Sequence, residues 1–347
     1  MAIVFDGDVK PGALTAFVRE VPTPANYVLD QILPDRLFHR NEISVSELTR
    51  TNRAAKFRAY DGAIHRTKRD SLMTTTVKLP PLSSMNGLGE RERLELEHAR
   101  QGGSSNAAMI DQIYDDATLL TGEIRTRMEL ARGDVLTDGV FTLADENGLT
   151  LEADFGVPAN HMVSTAAAWS NGATSKVIED LTSWVSVYVA TNGERPGGMA
   201  LSDKTLGYML RNAEIRQLAA SLSGAPGLVT RAALDGVLTA FSLPPIKWVY
   251  DTRVSVDEVD TRVLPENAVI FTPANPSDLG YTAWGISATA LELVNSAKVE
   301  LSFADAPGIV GVVDKSSHPP YREDTFVDAV GMPVLTNPKL LFVGRAF

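Results

Sequence analysis

The residues best suited to metal binding or general acid–base work are five histidines, His39, His65, His98, His161 and His318, and their spacing supports neither role. No HExxH or other helical ligand pair occurs among them. Cysteine is absent, which removes disulfides, thiolate nucleophiles and Cys-based zinc or iron–sulfur sites. Gly87-Leu-Gly89 is followed by charged residues where a dinucleotide-binding loop carries a third glycine, and there is no Walker A sequence. Asp6-Gly-Asp8 lacks the later acidic ligands of a calcium loop and reads as a turn. Asp115–Asp116 falls on the polar side of a predicted helix, where a solvated face accounts for both. A Ser-His-Asp set needs only to meet in space, but no GxSxG elbow marks a nucleophile. The sequence therefore assigns no catalytic, cofactor-binding or metal-ligating residue, and this pattern of absences favours a structural protein over an enzyme.

Charge is the chemistry the chain does concentrate. Between residues 50 and 69 stand Arg50, Arg53, Lys56, Arg58, Arg66, Lys68 and Arg69 against one acid, Asp61. Three readings are open for this stretch: a solvated basic surface, a nucleic-acid contact for which only Phe57 and Tyr60 offer stacking faces, or docking onto an acidic neighbour. The rest of the chain bears on the choice. Residues 1–104 carry 15 Lys/Arg against 13 Asp/Glu and the remaining residues 17 against 30, for a net charge of −11. Phosphate binding needs cations to replace counterions, so gripping nucleic acid is not the main task of so acidic a body. The same acidity complements the basic stretch.

The elements that must carry this stretch follow from periodicity and punctuation. With 347 residues, 44% hydrophobic and 22% charged, the chain has the composition of a folded protein of roughly two domains. Met1 to Pro34 is interrupted by Pro11, Pro22, Pro24 and Pro34 and reads as an extended arm with a helical turn or two around Ala13–Arg19, either flexible or ordered by another surface. The basic stretch forms a long loop or hairpin with an ordered base, and Leu72–Leu79 after it is a β-prone stretch ending at Pro80–Pro81. Met109, Ile113, Ala117, Leu120, Ile124, Met128 and Ala131 then make one stripe on one long helix from Ser105 to Arg132. Ser104, Ser105 and Asn106 are its cap candidates and Gly133 and Gly139 its stops, while Gly122 weakens its continuity. Phe141–Gly156 alternates around Asn147–Gly148 and predicts a β-hairpin. Asn160–Ala297 is a mixed α/β unit with helices at Lys176–Ala190 and Arg231–Phe241 and buried strands at Ile246–Tyr250 and Ala268–Thr272. The β-rich segments Lys298–Phe303, Ile309–Val313, Thr325–Leu335 and Leu340–Phe347 return to the first unit.

This order resembles the HK97-like major capsid fold, an α+β class. Residue matches to the lambda-type major capsid (capsid protein E) family lie in RTRMELARGDVLTDGVFTL (Arg125–Leu143), in Asp154-Phe155-Gly156, in LPENAVIFTP (Leu264–Pro273) and in NPKLLFVGRAF (Asn337–Phe347). The resemblance covers about Arg91 to Phe347; before that the arrangement matches more than the residues do. It implies an N-terminal arm at 1–48, an extended E-loop at 49–85, a P-domain of spine helix and hairpin at 86–160, an A-domain at 161–297 and a C-terminal return to the P-domain at 298–347.

As function, the resemblance implies the head protein of a tailed double-stranded DNA bacteriophage, self-assembling as hexamers and pentamers of an icosahedral shell with the E-loop laid over a neighbouring subunit. The basic residues Arg50, Arg53, Lys56, Arg58, Arg66, Lys68 and Arg69 are then the expected intersubunit contact. The expected partners are copies of the same chain, with a scaffolding protein, portal and decoration protein as further ones, and DNA enclosed without sequence-specific binding. No cofactor and no membrane are expected: no run of about 18 apolar residues occurs, and Asp6 and Asp8 stand where a signal peptide carries positive charge. Assembly in the host bacterial cytoplasm and residence in the virion follow. Two alternatives stand beside this reading, an encapsulin-type compartment shell and a cytosolic α/β hydrolase with its site in Asn160–Ala297.

Overall fold

The computed structural model describes residues 9–48, 72–91, 94, 107–146, 148–223, 229–296, 301–315 and 322–347. Helix α1 (Pro11–Glu20) begins with proline in its first turn and is followed by strands β1 (Asp35–Leu37) and β2 (Glu42–Leu48). Strands β3 (Leu72–Lys78) and β4 (Pro81–Leu88) then precede the long helix α2 (Ala107–Asp138), which spans about 48 Å. Ile113, Ala117, Leu120, Ile124 and Met128 of the predicted stripe are buried. Each large side chain contributes about 1.5–3 kcal/mol on burial, against about 1 kcal/mol lost at an interior glycine. The helix accordingly continues through Gly122. It also continues through Gly133, where a Cβ would lie 2.2 Å from the Val263 carbonyl oxygen, and stops at Gly139, which takes φ +78° and returns its N–H to the Val135 carbonyl. The cap candidates Ser104, Ser105 and Asn106 lie outside the described residues.

Under α2 lies a five-stranded sheet whose organiser is β15 (Glu323–Leu335). Its last five residues pair with β13 (Gly280–Trp284), which is extended in parallel by β1; its first part runs between β14 (Val310–Lys315) and β4. Helix α1 is ordered by its own chain, correcting the expectation of an arm that is loose or held by another surface. Leu14 and Val18 are fully buried over β14, and Gly311 makes room for them, since a Cβ there would come within 2.9 Å of Val18. Thr15 and Arg19 donate to the carbonyls of Gly311, Ile309 and Pro307. Proline restricted the arm without preventing ten residues of helix.

The predicted hairpin is present as β5 (Val140–Glu146) and β6 (Leu149–Asp154), antiparallel with a register shift between Leu143 and Glu146. The second unit follows, a sheet in the order β7 (Met162–Ser164), β16 (Phe342–Arg345), β12 (Ala268–Thr272), β8 (Gly198–Leu201), β9 (Ile246–Val249). Helices α3 (Val177–Asn192), α4 (Asp203–Arg211), α5 (Ala213–Ser223) and α6 (Arg231–Ala240) accompany it, and β10 (Arg253–Val256) and β11 (Val259–Arg262) form a side hairpin. Two expected boundaries are corrected. Strand β13, placed with the second unit, belongs to the first sheet, as does its neighbour α7 (Ala288–Asn295) by its packing on Val310 and Val312. Strand β16, placed with the first, lies between β7 and β12. All five residues of β12 are buried, so both of its edges must be hydrogen-bonded, and β8 supplies only one. Lys298–Phe303 is no strand at its described end, where Phe303 opens a 3₁₀ turn.

Trp169, Trp184, Phe271 and Phe342 pack as one aromatic group beside β16, with the Trp184 ring against Gly344, where a Cβ would sit 2.3 Å from it. His161 lies at its margin, fully buried, its Nδ1 2.9 Å from the Leu341 carbonyl oxygen and its Nε2 3.0 Å from the Thr191 hydroxyl. Burial pushes its titration below the ordinary imidazole value, against the Leu341 contact that pulls it up. The folded chain therefore binds fewer protons at this site than the unfolded chain. Its contribution is complete above the ordinary value of about 6.5 and is lost as pH falls from there towards the folded value. Thermal melts between about pH 7.5 and about pH 5 are expected to fall more steeply for the native protein than for His161→Gln; parallel slopes would remove His161 as the cause.

Candidate assembly surface

The residues proposed from sequence for contact, Arg50, Arg53, Lys56, Arg58, Arg66, Lys68 and Arg69, lie outside the described residues. What the structure gives is the base from which they extend. Strands β2 and β3 pair antiparallel over seven residues, from Glu42↔Lys78 to Leu48↔Leu72, so residues 49–71 connect the far end of a two-stranded ribbon. Ile43, Val77 and Leu79 are buried at the near end. Asn41 locks that end in place: its Nδ2 donates to the Ile286 carbonyl at 2.8 Å, its Oδ1 accepts from the Ile286 N–H at 2.9 Å, and its own carbonyl accepts from Leu79. The ribbon is thus rooted beside the C-terminal end of β13 and carries the basic stretch at its other end.

The most elaborate polar site inside the molecule is structural. Glu129 of α2 is fully buried and accepts from the Leu29 N–H (3.1 Å) and the Tyr250 hydroxyl (2.8 Å) on one oxygen and from Arg132 (3.2 Å) on the other. Arg132, also buried, donates in addition to the Thr282 hydroxyl and to Asp35, while Thr282 donates to the Leu33 carbonyl. Burial, then the neighbouring Glu129 carboxylate, push the Tyr250 hydroxyl far above its usual value, so it stays a donor. Five segments meet on this pair. The sequence reading passed over it because both residues lie off the apolar stripe; Glu and Arg three apart on a helix gave the one available signal.

A cavity of about 340 Å³ beside the network is lined by Arg19, Arg125 and Arg132 with Asp30, Asp35 and Trp284. Its cations are occupied: Arg19 holds the carbonyls of residues 307 and 309, Arg125 holds the Thr23 hydroxyl, and burial lowers both pKa values. Its two carboxylates are Asp30 and Asp35, the latter accepting from Arg132. Of the other residues that sequence reading weighed, His39 stacks on Phe303, and His65, His98 and His318 lie outside the described residues. Gly87 sits in β4 where a Cβ would lie 2.4 Å from Asp324, a cross-strand role. Asp115 is exposed as expected, whereas Asp116 is buried and accepts from Asn86 and Gln112. Among the described residues no group of three His, Asp or Glu side chains could hold a metal ion, and no helix is long and apolar enough to cross a membrane.

An architecture of arm helix, ribbon, long helix on a sheet, inserted α/β unit and shared C-terminal strands, with no metal-holding cluster among its described residues, is what comparison with known proteins must account for. Residues 11–299 match the family described as phage major capsid protein E. The chain belongs to that family. Capsid protein E proteins are structural proteins of the phage head, so the chain is a phage major capsid protein located in the virion. Its fold is the HK97-like capsid fold. A crystal structure assigned as the capsid protein of an Escherichia coli CFT073 prophage superposes with TM-score 0.62 at 12% identity, covering 96% of this chain and 97% of that one. A phage-related protein from Bordetella bronchiseptica RB50 gives 0.58 at 13% over 100% and 98%, and the capsid of an empty GTA particle 0.50 at 12% over 93% and 91%. No curated protein matches the chain in sequence.

Truncating Glu129 takes the buried acceptor from Arg132, the Leu29 N–H and the Tyr250 hydroxyl, and leaves the guanidinium to Thr282 and the half-exposed Asp35. Glu129→Ala is expected to lower unfolding free energy by about 3–5 kcal/mol in denaturant titrations, with Tyr250→Phe costing about 1–2 kcal/mol. Equal and small losses for both would show that the pair holds nothing together.

Proposed function

We propose that the chain works by self-assembly alone, as the subunit of hexamers and pentamers in an icosahedral shell that encloses double-stranded DNA, and that it catalyses no reaction. The family match over most of the chain carries this reading. The basic stretch, Arg50, Arg53, Lys56, Arg58, Arg66, Lys68 and Arg69, is the intersubunit contact: it connects the two strands of a ribbon anchored at Asn41, and the body of a neighbouring copy is acidic. Opposite charge at such a contact selects register as well as partner.

Net charge also bears on the contents of the shell. An acidic wall adsorbs phosphate weakly, so the genome is retained by enclosure and not by a lattice of Lys and Arg contacts. A scaffolding protein, a portal and a decoration protein complete the proposed partners, and assembly takes place in the host bacterial cytoplasm.

Purified full-length protein is expected to form shells or hexameric rings by electron microscopy and size-exclusion chromatography, with nucleic acid inside particles from infected cells. Replacing Arg53, Arg58 and Arg66 by Glu should abolish particles while leaving the melting temperature of the subunit unchanged. Normal shells from this variant would refute the contact, and a wild-type chain that stays a monomer under every condition would count against the shell itself.

A further inference from the structure

Strand β4 is an open edge of the first sheet. Strand β15 pairs with one side of it from Pro81↔Val330 to Leu88↔Glu323 without a register shift. The Gly331 N–H donates to the Pro80 carbonyl, so the alternation of an antiparallel ladder turns the backbone groups of residues 82, 84, 86 and 88 toward β15. Those of Ser83, Met85 and Gly87 point the other way, where no hydrogen bond from the described residues reaches them. Pro81 falls in the same outward set, the one place where a strand loses nothing by lacking an N–H.

Open edges are ordinarily blunted by charge, by a bulge or by a covering element. Here the sequence from Leu79 to Gly89 contains no charged residue, and the pairing contains no bulge. Met85, on the face opposite α2, is 65% exposed, the most exposed large apolar side chain among the described residues. Helix α2 marks the same point from the other face. Ser84 donates to Glu123 and Asn86 to Asp116, which sets Leu119, between those two acids, level with Met85. Helical spacing puts Leu119 about 60° around the axis from Asp116 and about 40° from Glu123, on the side away from buried Leu120. Leu119 therefore overhangs the open edge, and it is 59% exposed.

One more strand beside β4 would lie under Leu119 on one face and beside Met85 on the other. A second β4 fits this place about a two-fold axis through Met85. Met85 then stands opposite its own copy, and Ser83 opposite Gly87 in both directions, so the contact is self-complementary. Each of these three pairs exchanges two backbone hydrogen bonds. An uncharged strand pairs with itself without setting like charges face to face. The same axis draws the two Leu119 side chains toward each other over the helix face. We propose that β4 pairs antiparallel with β4 of a second copy, centred on Met85, and continues the first sheet from one subunit into the next. Copies within a hexamer or pentamer are related by the ring axis, so this two-fold contact joins one ring to another. The inference rests on the shell reading and adds a contact independent of the basic stretch.

The chain has no cysteine, so one introduced thiol can bridge only to its copy in another subunit. Opposed residues in a hydrogen-bonded pair lie about 5.5 Å apart at Cα, within reach of a disulfide. The two Ser83 positions would be about 14 Å apart, out of reach. Mild oxidation of full-length Met85→Cys particles is expected to give covalent dimers on a non-reducing gel, while Ser83→Cys stays monomeric. Met85→Lys sets two ammonium groups against each other at the axis and should abolish particles at an unchanged melting temperature. Particles of Met85→Cys without dimers, equal bridging by both thiols, or normal particles from Met85→Lys would overturn the pairing and leave the shell standing. Should the native chain form no particles, dimers from Met85→Cys alone in concentrated solution would keep the pairing and drop the shell; no dimers there would drop both.

Discussion

A buried carboxylate facing a buried guanidinium one turn along the same helix is the constraint around which this subunit is organised. Neither Glu129 nor Arg132 is satisfied by the other alone. Glu129 needs the Leu29 N–H and the Tyr250 hydroxyl, and Arg132 needs Thr282 and Asp35. The pair therefore demands that the segment after α1, the first sheet and the second unit all be in place around α2. Apolar residues of similar volume could be as stable, since desolvation of two ions offsets much of their attraction. What the ions add is selectivity: each partner fits at one position, and a slipped helix leaves charge buried without a donor or acceptor.

The long helix meets its surroundings in two ways, and its glycines separate them. At Gly133 the Val263 carbonyl comes so near that any side chain is excluded, which brings the second unit against the last turns of the helix. At Gly139 a left-handed turn sends the chain straight into the β5–β6 hairpin, and Phe155 returns its N–H to the Gly139 carbonyl. One residue type thus sets both the contact between units and the length of the element that joins them.

Local patterns were legible in the sequence to the extent that local physics sets them. The stripe from Ile113 to Met128, the hairpin around residue 148 and the buried run Ala268–Thr272 all depend on periodicity within a dozen residues. Three features depend on partners far along the chain, 100 residues away for Glu129 and Leu29 and 296 for Thr15 and Gly311, and left no such trace. Helix α1 looked like a loose arm because its cover, Gly311 and its neighbours, lies some 300 positions downstream. Strand β16 was assigned to the wrong sheet because an apolar strand of four residues fits either. The Glu129 network was invisible because buried polar residues look like surface ones until their partners are known. The basic stretch was legible as charge, and its anchored base at Asn41 was not.

The position of β16 also bears on synthesis. Its partners β7 and β12 are translated long before it, yet the β12 edge facing β7 stays without hydrogen bonds until Arg345 has cleared the ribosome. At about 5–20 residues per second, the interval from Thr272 to Arg345 lasts several seconds. During that interval the nascent chain holds an unfilled gap in its second sheet and an aromatic group lacking Phe342. A polypeptide stopped before Phe342 therefore cannot close its second sheet or complete the aromatic group around Trp184.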